Sequence, residues 1–160
     1  MKEIKLTHGK VALVDDEDYE WINKYTWCLL LTGYAGSASM IWEYKTRGIA
    51  LMHRVILNVP KNQIIDHINR NKLDNRKSNL RIADPTGNNA NKGLQTNNTL
   101  GYKGLKLKFY KDGTPKYEVI VRHKNIKHYI GVFKSKEEAA LAYNEAAIKY
   151  FGEYACLNKI

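Results

Sequence analysis

Apolar residues fall in short runs whose spacing changes along the chain. Lys10-Val11-Ala12-Leu13-Val14 reads as a strand. Asp15-Asp16-Glu17-Asp18 follows as a turn, or as the capped start of a short helix through Tyr19, Trp21 and Ile22. An acidic cluster of this kind can bind metal, but carboxylates also favour the positive end of a helix, and a solvated helix start is the reading adopted. Trp27 to Leu31 and Ile41 to Tyr44 have strand composition around a Gly/Ser turn. A short strand and a polar, Asn-rich stretch occupy about residues 53–92.

Beyond residue 100 the periodicity is regular. Leu105, Leu107 and Phe109 alternate with Lys106, Lys108 and Tyr110, which predicts a half-buried strand with a basic outer face. Lys111-Asp112-Gly113 is a hairpin signal. In the next strand Tyr117, Val119 and Val121 share one face and Arg122 lies on the other. Lys124-Asn125 turns the chain again, and Lys127 and Tyr129 then alternate with His128 and Ile130. Ser135-Lys136-Glu137-Glu138 has capping-box spacing. A helix follows with Ala139, Tyr143, Ala146 and Tyr150 on one stripe, and Gly152 stops it. The expected unit is a three-stranded antiparallel sheet packed on one helix. Gln95-Thr96-Asn97-Asn98-Thr99 has linker composition, so the chain divides into residues 1–52, 53–96 and 97–160.

Bulk properties narrow the partners. The net charge is +10, with 12 Lys/Arg against 6 Asp/Glu in residues 101–160 and near balance, 8 against 7, in residues 1–62. A basic excess of this kind favours a polyanionic partner. Lysine and arginine on the open sheet face neutralise phosphates, and aromatic groups there reach bases or sugars. There is no apolar run of membrane length and no signal-peptide pattern at Met1-Lys2-Glu3-Ile4. Cys28 and Cys156 form neither a disulfide framework nor a zinc motif, which suits a reducing, cytoplasmic setting.

The chemistry-bearing residues cluster in the middle zone. Asp66-His67-Ile68-Asn69, Leu73-Asp74-Asn75-Arg76, Ser78-Asn79-Leu80-Arg81 and Asn88-Asn89-Ala90-Asn91 supply a carboxylate, an imidazole and several amides. Hard cations such as Mg²⁺ take oxygen ligands and keep several waters, and histidine can take a proton from water near neutral pH. These are the parts for phosphodiester hydrolysis. His53 precedes the apolar run Val55 to Leu57 and reads as a packed or hydrogen-bonded histidine. Adjacent strand residues point to opposite faces, so Asp66 and His67 share a site only if the strand end departs from regularity or they flank the phosphate.

His53-Arg54-Val55-Ile56-Leu57, followed by the motifs just quoted, resembles an HNH endonuclease of the ββα-metal type, many of them phage-borne or homing enzymes. Gly9-Lys10-Val11-Ala12-Leu13-Val14-Asp15-Asp16 is similar to the leader of that group. The third zone resembles the DNA-binding domain of plant ethylene-response factors of the Apetala type. The matching residues are Tyr102-Lys103-Gly104-Leu105, Tyr129-Ile130-Gly131-Val132-Phe133, Glu138 to Tyr143 and Phe151-Gly152-Glu153-Tyr154-Ala155. The resemblance implies an α+β fold with a ββα-metal nuclease module and a DNA-binding module. It implies that Asp66 and Asn88 are metal ligands, with Asn91 a weaker choice than Asn88, that His67 is the general base, and that Asn79 positions the histidine loop. It sets Lys103, Lys106, Lys108, Tyr110, Arg122, Lys127 and Tyr129 where the plant domains touch DNA. Lysine lacks the bidentate fork of arginine, so phosphate affinity is expected more than base readout.

The expectation is an endonuclease that cuts double-stranded DNA with one Mg²⁺ or Mn²⁺. It would be encoded by a phage or mobile element, act in a bacterial host cell, and nick as a monomer or cut both strands as a homodimer. The rivals are a DNA-binding regulator with an inactive nuclease module and an RNA-binding protein using the basic sheet.

Overall fold

A computed structural model describes residues 1–38 and 48–160. It resolves into two compact units, Met1–Asp84 and Pro85–Ile160. The fold is mixed, with small antiparallel sheets and, among the described residues, four α-helices. The strand expected at Ile41 to Tyr44 lies outside the described residues.

The first unit opens with a hairpin of β1 (Lys2–Lys5) and β2 (Val11–Val14), in which Ile4 pairs with Ala12. Alternation puts Ile4, Ala12 and Val14 into the core. α1 (Asp16–Ile22) starts in the acidic cluster, with Asp16, Glu17 and Asp18 in its first turn. Trp27 is buried beneath it and donates its indole N–H to the Ile22 carbonyl at 2.9 Å. β3 (Cys28–Leu29), β4 (Ala35–Ser37) and β5 (Ala50–Leu51) form a short sheet that leads into α2 (Met52–Leu57). Asn58 ends α2 with a left-handed backbone, φ 48°. β6 (Ile64–His67) and β7 (Leu80–Ala83) pair antiparallel. Ile4, Val14, Ile22, Trp27, Met52, Val55, Ile56, Ile65 and Leu80 belong to one core.

The second unit begins with α3 (Pro85–Asn91). β8 (Leu105–Phe109), β9 (Pro115–His123) and β10 (Ile126–Phe133) form an antiparallel sheet in the order β10-β9-β8, backed by α4 (Lys136–Phe151). The Ser135 hydroxyl accepts from the Glu138 amide at 3.0 Å, and Gly152 closes the helix with φ 53°. Lys124 and Asn125 both adopt positive φ in the two-residue turn between β9 and β10. Val119, Val121, Ala139, Tyr143, Ala146 and Ala147 make the core.

Two expectations change here. Of the alternating apolar residues of β8 only Leu105 packs on the core, while Phe109 is 58% exposed. α4 lies mainly over β9 and β10 and leaves the far end of β8 uncovered. The polar stretch Gln95–Thr99 lies inside the second unit, because α3 is fastened there. Gly87 sits so close to the Tyr154 ring that a Cβ would come within 2.8 Å of it. The Lys103 ammonium donates to the Ala90 and Lys92 carbonyls at 2.5 and 2.6 Å, which caps the end of α3. Asn158 in turn holds the Lys103 backbone, accepting from its N–H at 2.6 Å and donating to its carbonyl at 3.1 Å.

Candidate functional site

Strand register sets the first pair of groups. β6 meets β7 with Asp66 opposite Arg81 and His67 opposite Leu80. Asp66 and His67 are both buried. One Asp66 oxygen, Oδ2, accepts from Arg81 Nε at 2.9 Å and Nη2 at 2.8 Å. The His67 ring lies edge-on to His53, with centroids 5.2 Å apart and planes at 76°. Tyr34 completes a three-ring cluster, 4.9 Å from His53 and 5.8 Å from His67. Lys72 lies over Tyr34 at 4.7 Å and donates to the Thr32 carbonyl at 2.8 Å. Asp66 and His67 occupy consecutive strand positions, yet the Asp66 charge acts on the His67 and Tyr34 rings alike.

The loop after His67 is pinned from several sides. Leu13 of β2 donates to the Leu73 carbonyl at 2.7 Å and accepts from the Asn75 amide at 2.8 Å. The Asn79 side chain bridges the loop, accepting from the Asn69 N–H at 2.9 Å and donating to the Asp74 carbonyl at 2.8 Å. The Asp74 carboxylate accepts from Arg76 Nε and Nη2, each at 2.7 Å, and from Asn69 Nδ2 at 2.8 Å. Arg76 first, then Asn69, hold its carboxyl below the usual range. The acidic start of α1 serves this loop, since Lys77 donates its amide to Asp15 at 2.7 Å and its ammonium to Glu17 at 2.5 Å and to Asp18 Oδ1 at 3.2 Å.

Protonation follows from this packing. Burial pushes the His67 imidazole below its ordinary value, and the Asn75 hydrogen bond and the charges of Asp66 and Asp74 oppose the shift only in part. Burial, with help from His67 and Arg54, drives His53 down to about 3. Both rings are therefore neutral near pH 7. Asn75 Oδ1 lies 3.4 Å from His67 Nε2, while Asn75 Nδ2 donates to the Leu73 carbonyl at 3.3 Å. An amide oxygen can only accept, so Nε2 carries the proton and Nδ1 keeps the lone pair. Asn75 thereby orients the ring from its Nε2 side.

The remaining expected residues belong to the second unit. Asn88, half-buried, and Asn91, buried, lie on α3. Lys106 pairs with Glu118, Lys108 with Lys116, Arg122 with Lys127, and Tyr129 with Ile120 across the sheet. These residues thus share the face away from α4, where Tyr129 is 64% exposed. The Lys116 ammonium lies 4.3 Å above the Tyr110 ring. A β-bulge between Tyr129 and Gly131 ends this alternation on β10. Lys103 does not join the face, because its ammonium is directed at α3.

The sequence offers no individual role for Arg81, Asn75, Asp74 and Tyr34, and shows His53 only as a packed or hydrogen-bonded histidine. Their proximity depends on strand register and on contacts distant in sequence, which no local pattern encodes.

Residues 51–90 match a family model described as HNH endonuclease. An uncharacterised HNH endonuclease of Acanthamoeba polyphaga mimivirus is 34% identical over 158 residues, spanning 95% of this chain and 76% of that protein. No solved structure matches the chain.

Proposed function

The chain belongs to the HNH endonuclease family, and from that premise we propose that it cuts double-stranded DNA with a divalent cation, using His67 as general base. The observation that carries this reading is the buried His67 imidazole next to the Asp66 carboxylate, with burial holding its pKa below the ordinary histidine value and Asn75 Oδ1 3.4 Å from its Nε2.

The donor chemistry fits a hard cation. Among the described residues no three His, Cys, Asp or Glu side chains gather as a metal cluster. A cation held by Asp66 would take its other ligands from amide oxygen, water and substrate phosphate, which suits Mg²⁺ or Mn²⁺. When bound, the cation supplies charge neutralisation at the scissile phosphate and the departing 3′ oxygen.

The chain's own residues do the rest. His67 Nδ1 takes a proton from water, and the resulting hydroxide attacks phosphorus. The P–O3′ bond breaks, and the leaving oxygen gains a proton from solvent. The charges of Asp66 and Asp74 favour the imidazolium that forms. Arg81 anchors one oxygen of Asp66 and so orients the carboxylate. Asn79 fixes the loop that carries Asn75.

The second unit would hold the duplex through Lys106, Lys108, Tyr110, Arg122, Lys127 and Tyr129, in the manner of the Apetala-type domain it resembles. Arg122 and Lys127 are cross-strand neighbours on that face, so both would reach phosphate together. One centre per chain gives a nick from a monomer and paired cuts from a dimer. A viral relative is compatible with a phage or mobile-element origin.

The test is incubation of supercoiled plasmid with the protein and Mg²⁺, with and without EDTA. Cleavage should stop on chelation and return with Mg²⁺ or Mn²⁺. Full activity in metal-free buffer would refute the metal-dependent reading.

A further inference from the structure

The buried side of the centre holds a second histidine that the mechanism leaves unused. His53 is 5% exposed and follows the first residue of α2. Two consecutive residues of that helix reach the His67 system. Met52 does so through Asn75, whose Nδ2 donates to the Met52 sulfur at 3.3 Å. His53 does so by ring contact with His67, and Tyr34 closes the cluster. If packing were the whole role, an apolar ring of the same shape would serve better. His53 Nδ1 is buried with no hydrogen-bond partner among the described residues. An unpaired polar atom in that setting opposes folding, and a phenyl ring would not carry that penalty.

We infer that His53 is a positioning residue of the nuclease centre: its ring fixes the plane of His67, and its Nδ1 pairs with a water molecule that enters the centre with the substrate. The inference rests on the reading of His67 as general base. Shape and polarity make separable contributions here. The ring edge restrains His67 whatever its atoms, while only a polar group at the Nδ1 position can hold the water.

The experiment compares wild type with His53→Phe, His53→Asn and His67→Ala on supercoiled plasmid with Mg²⁺, measuring kcat, KM and Tm. His53→Phe keeps the ring and removes the nitrogen. It should retain or raise Tm and leave KM for DNA unchanged. Its kcat should fall by about 10- to 100-fold, the usual effect of losing a group that orients a reactive centre. His53→Asn restores a polar group near the Nδ1 position and should recover part of kcat despite a lower Tm. Wild-type kcat in His53→Phe would overturn the inference. So would a kcat no better in His53→Asn than in His53→Phe, or rates that simply follow Tm in both. His67→Ala separates the two levels: if it cuts at the wild-type rate, the reading of the centre fails. If it is inactive while His53→Phe is fully active, only the role of His53 fails.

Discussion

At His67 burial and nearby charge act against each other, and burial wins. The ring is then unprotonated and ready as a base at a pH where an exposed histidine is partly charged. The acid limb of kcat should therefore have its midpoint below 6.5, the ordinary histidine value. A pH–rate profile with its midpoint at or above 6.5 would contradict this. His53 adds a stability effect of definite sign. Its folded-state value of about 3 lies below its ordinary 6.5, so on acidification the unfolded chain takes up the proton first. Its protonation has no effect on stability above about pH 6.5 and progressively destabilises the fold from there down to about 3. Asp74, held below its ordinary 3.8 chiefly by Arg76, contributes stability that is lost as pH falls from about 3.8 through its lower folded-state value. Urea unfolding between pH 7 and 4 should show falling stability for the wild type and a flatter profile for His53→Phe. Parallel profiles would show that His53 is not the group responsible.

Elements differ in how well they can be read from the chain. α4 and the β8–β10 sheet follow from local signals: strict alternation in Tyr117, Val119 and Val121, the Ser135–Glu138 cap, and Gly152 at the helix end. The first unit is harder. β3 falls within the Trp27 to Leu31 run that has strand composition, but a two-residue strand such as β5 has no periodicity to detect, and β1 and α2 carry no comparable signal. The motif residues Asp66, His67 and Asn79 stand out by their letters. Arg81 and His53 become visible as their neighbours only once register and packing are known. Asn79 closes its loop with two hydrogen bonds, so Asn79→Ala should cost roughly 1–3 kcal/mol by denaturant unfolding. A change near zero would mean that the loop's other contacts, to Leu13, Arg76 and the start of α1, hold it without Asn79. Lys103 distinguishes fold from binding in the same way. Its ammonium caps α3, so Lys103→Met should speed amide exchange in α3 and leave the salt dependence of DNA binding unchanged. A shallower salt slope would return Lys103 to the DNA-contacting set.

The molecule as a whole divides its charge unevenly. Residues 85–160 carry 13 Lys/Arg against 6 Asp/Glu, a net +7, while residues 1–84 carry 13 against 10, a net +3. The division at Asp84 also defines the useful fragment. Residues 1–84 contain a complete core, whereas a cut near residue 100 would leave α3 without Lys103 and Tyr154. If the second unit grips DNA, each phosphate-neutralising cation contributes about −0.9 to the log–log salt slope. Arg122→Ala with Lys127→Ala should then make the slope shallower by about 2 without altering metal dependence. Equal slopes for the variant and the wild type would assign the basic sheet another partner. The central claim is that His67 performs the chemistry rather than the binding, and the most direct test compares His67→Ala with wild type in single-turnover cleavage of plasmid at saturating enzyme and Mg²⁺. The His67→Ala rate should be lower by about 10²–10⁴, with DNA affinity and folded structure intact. Cleavage at the wild-type rate, or loss of folding together with activity, would contradict that claim.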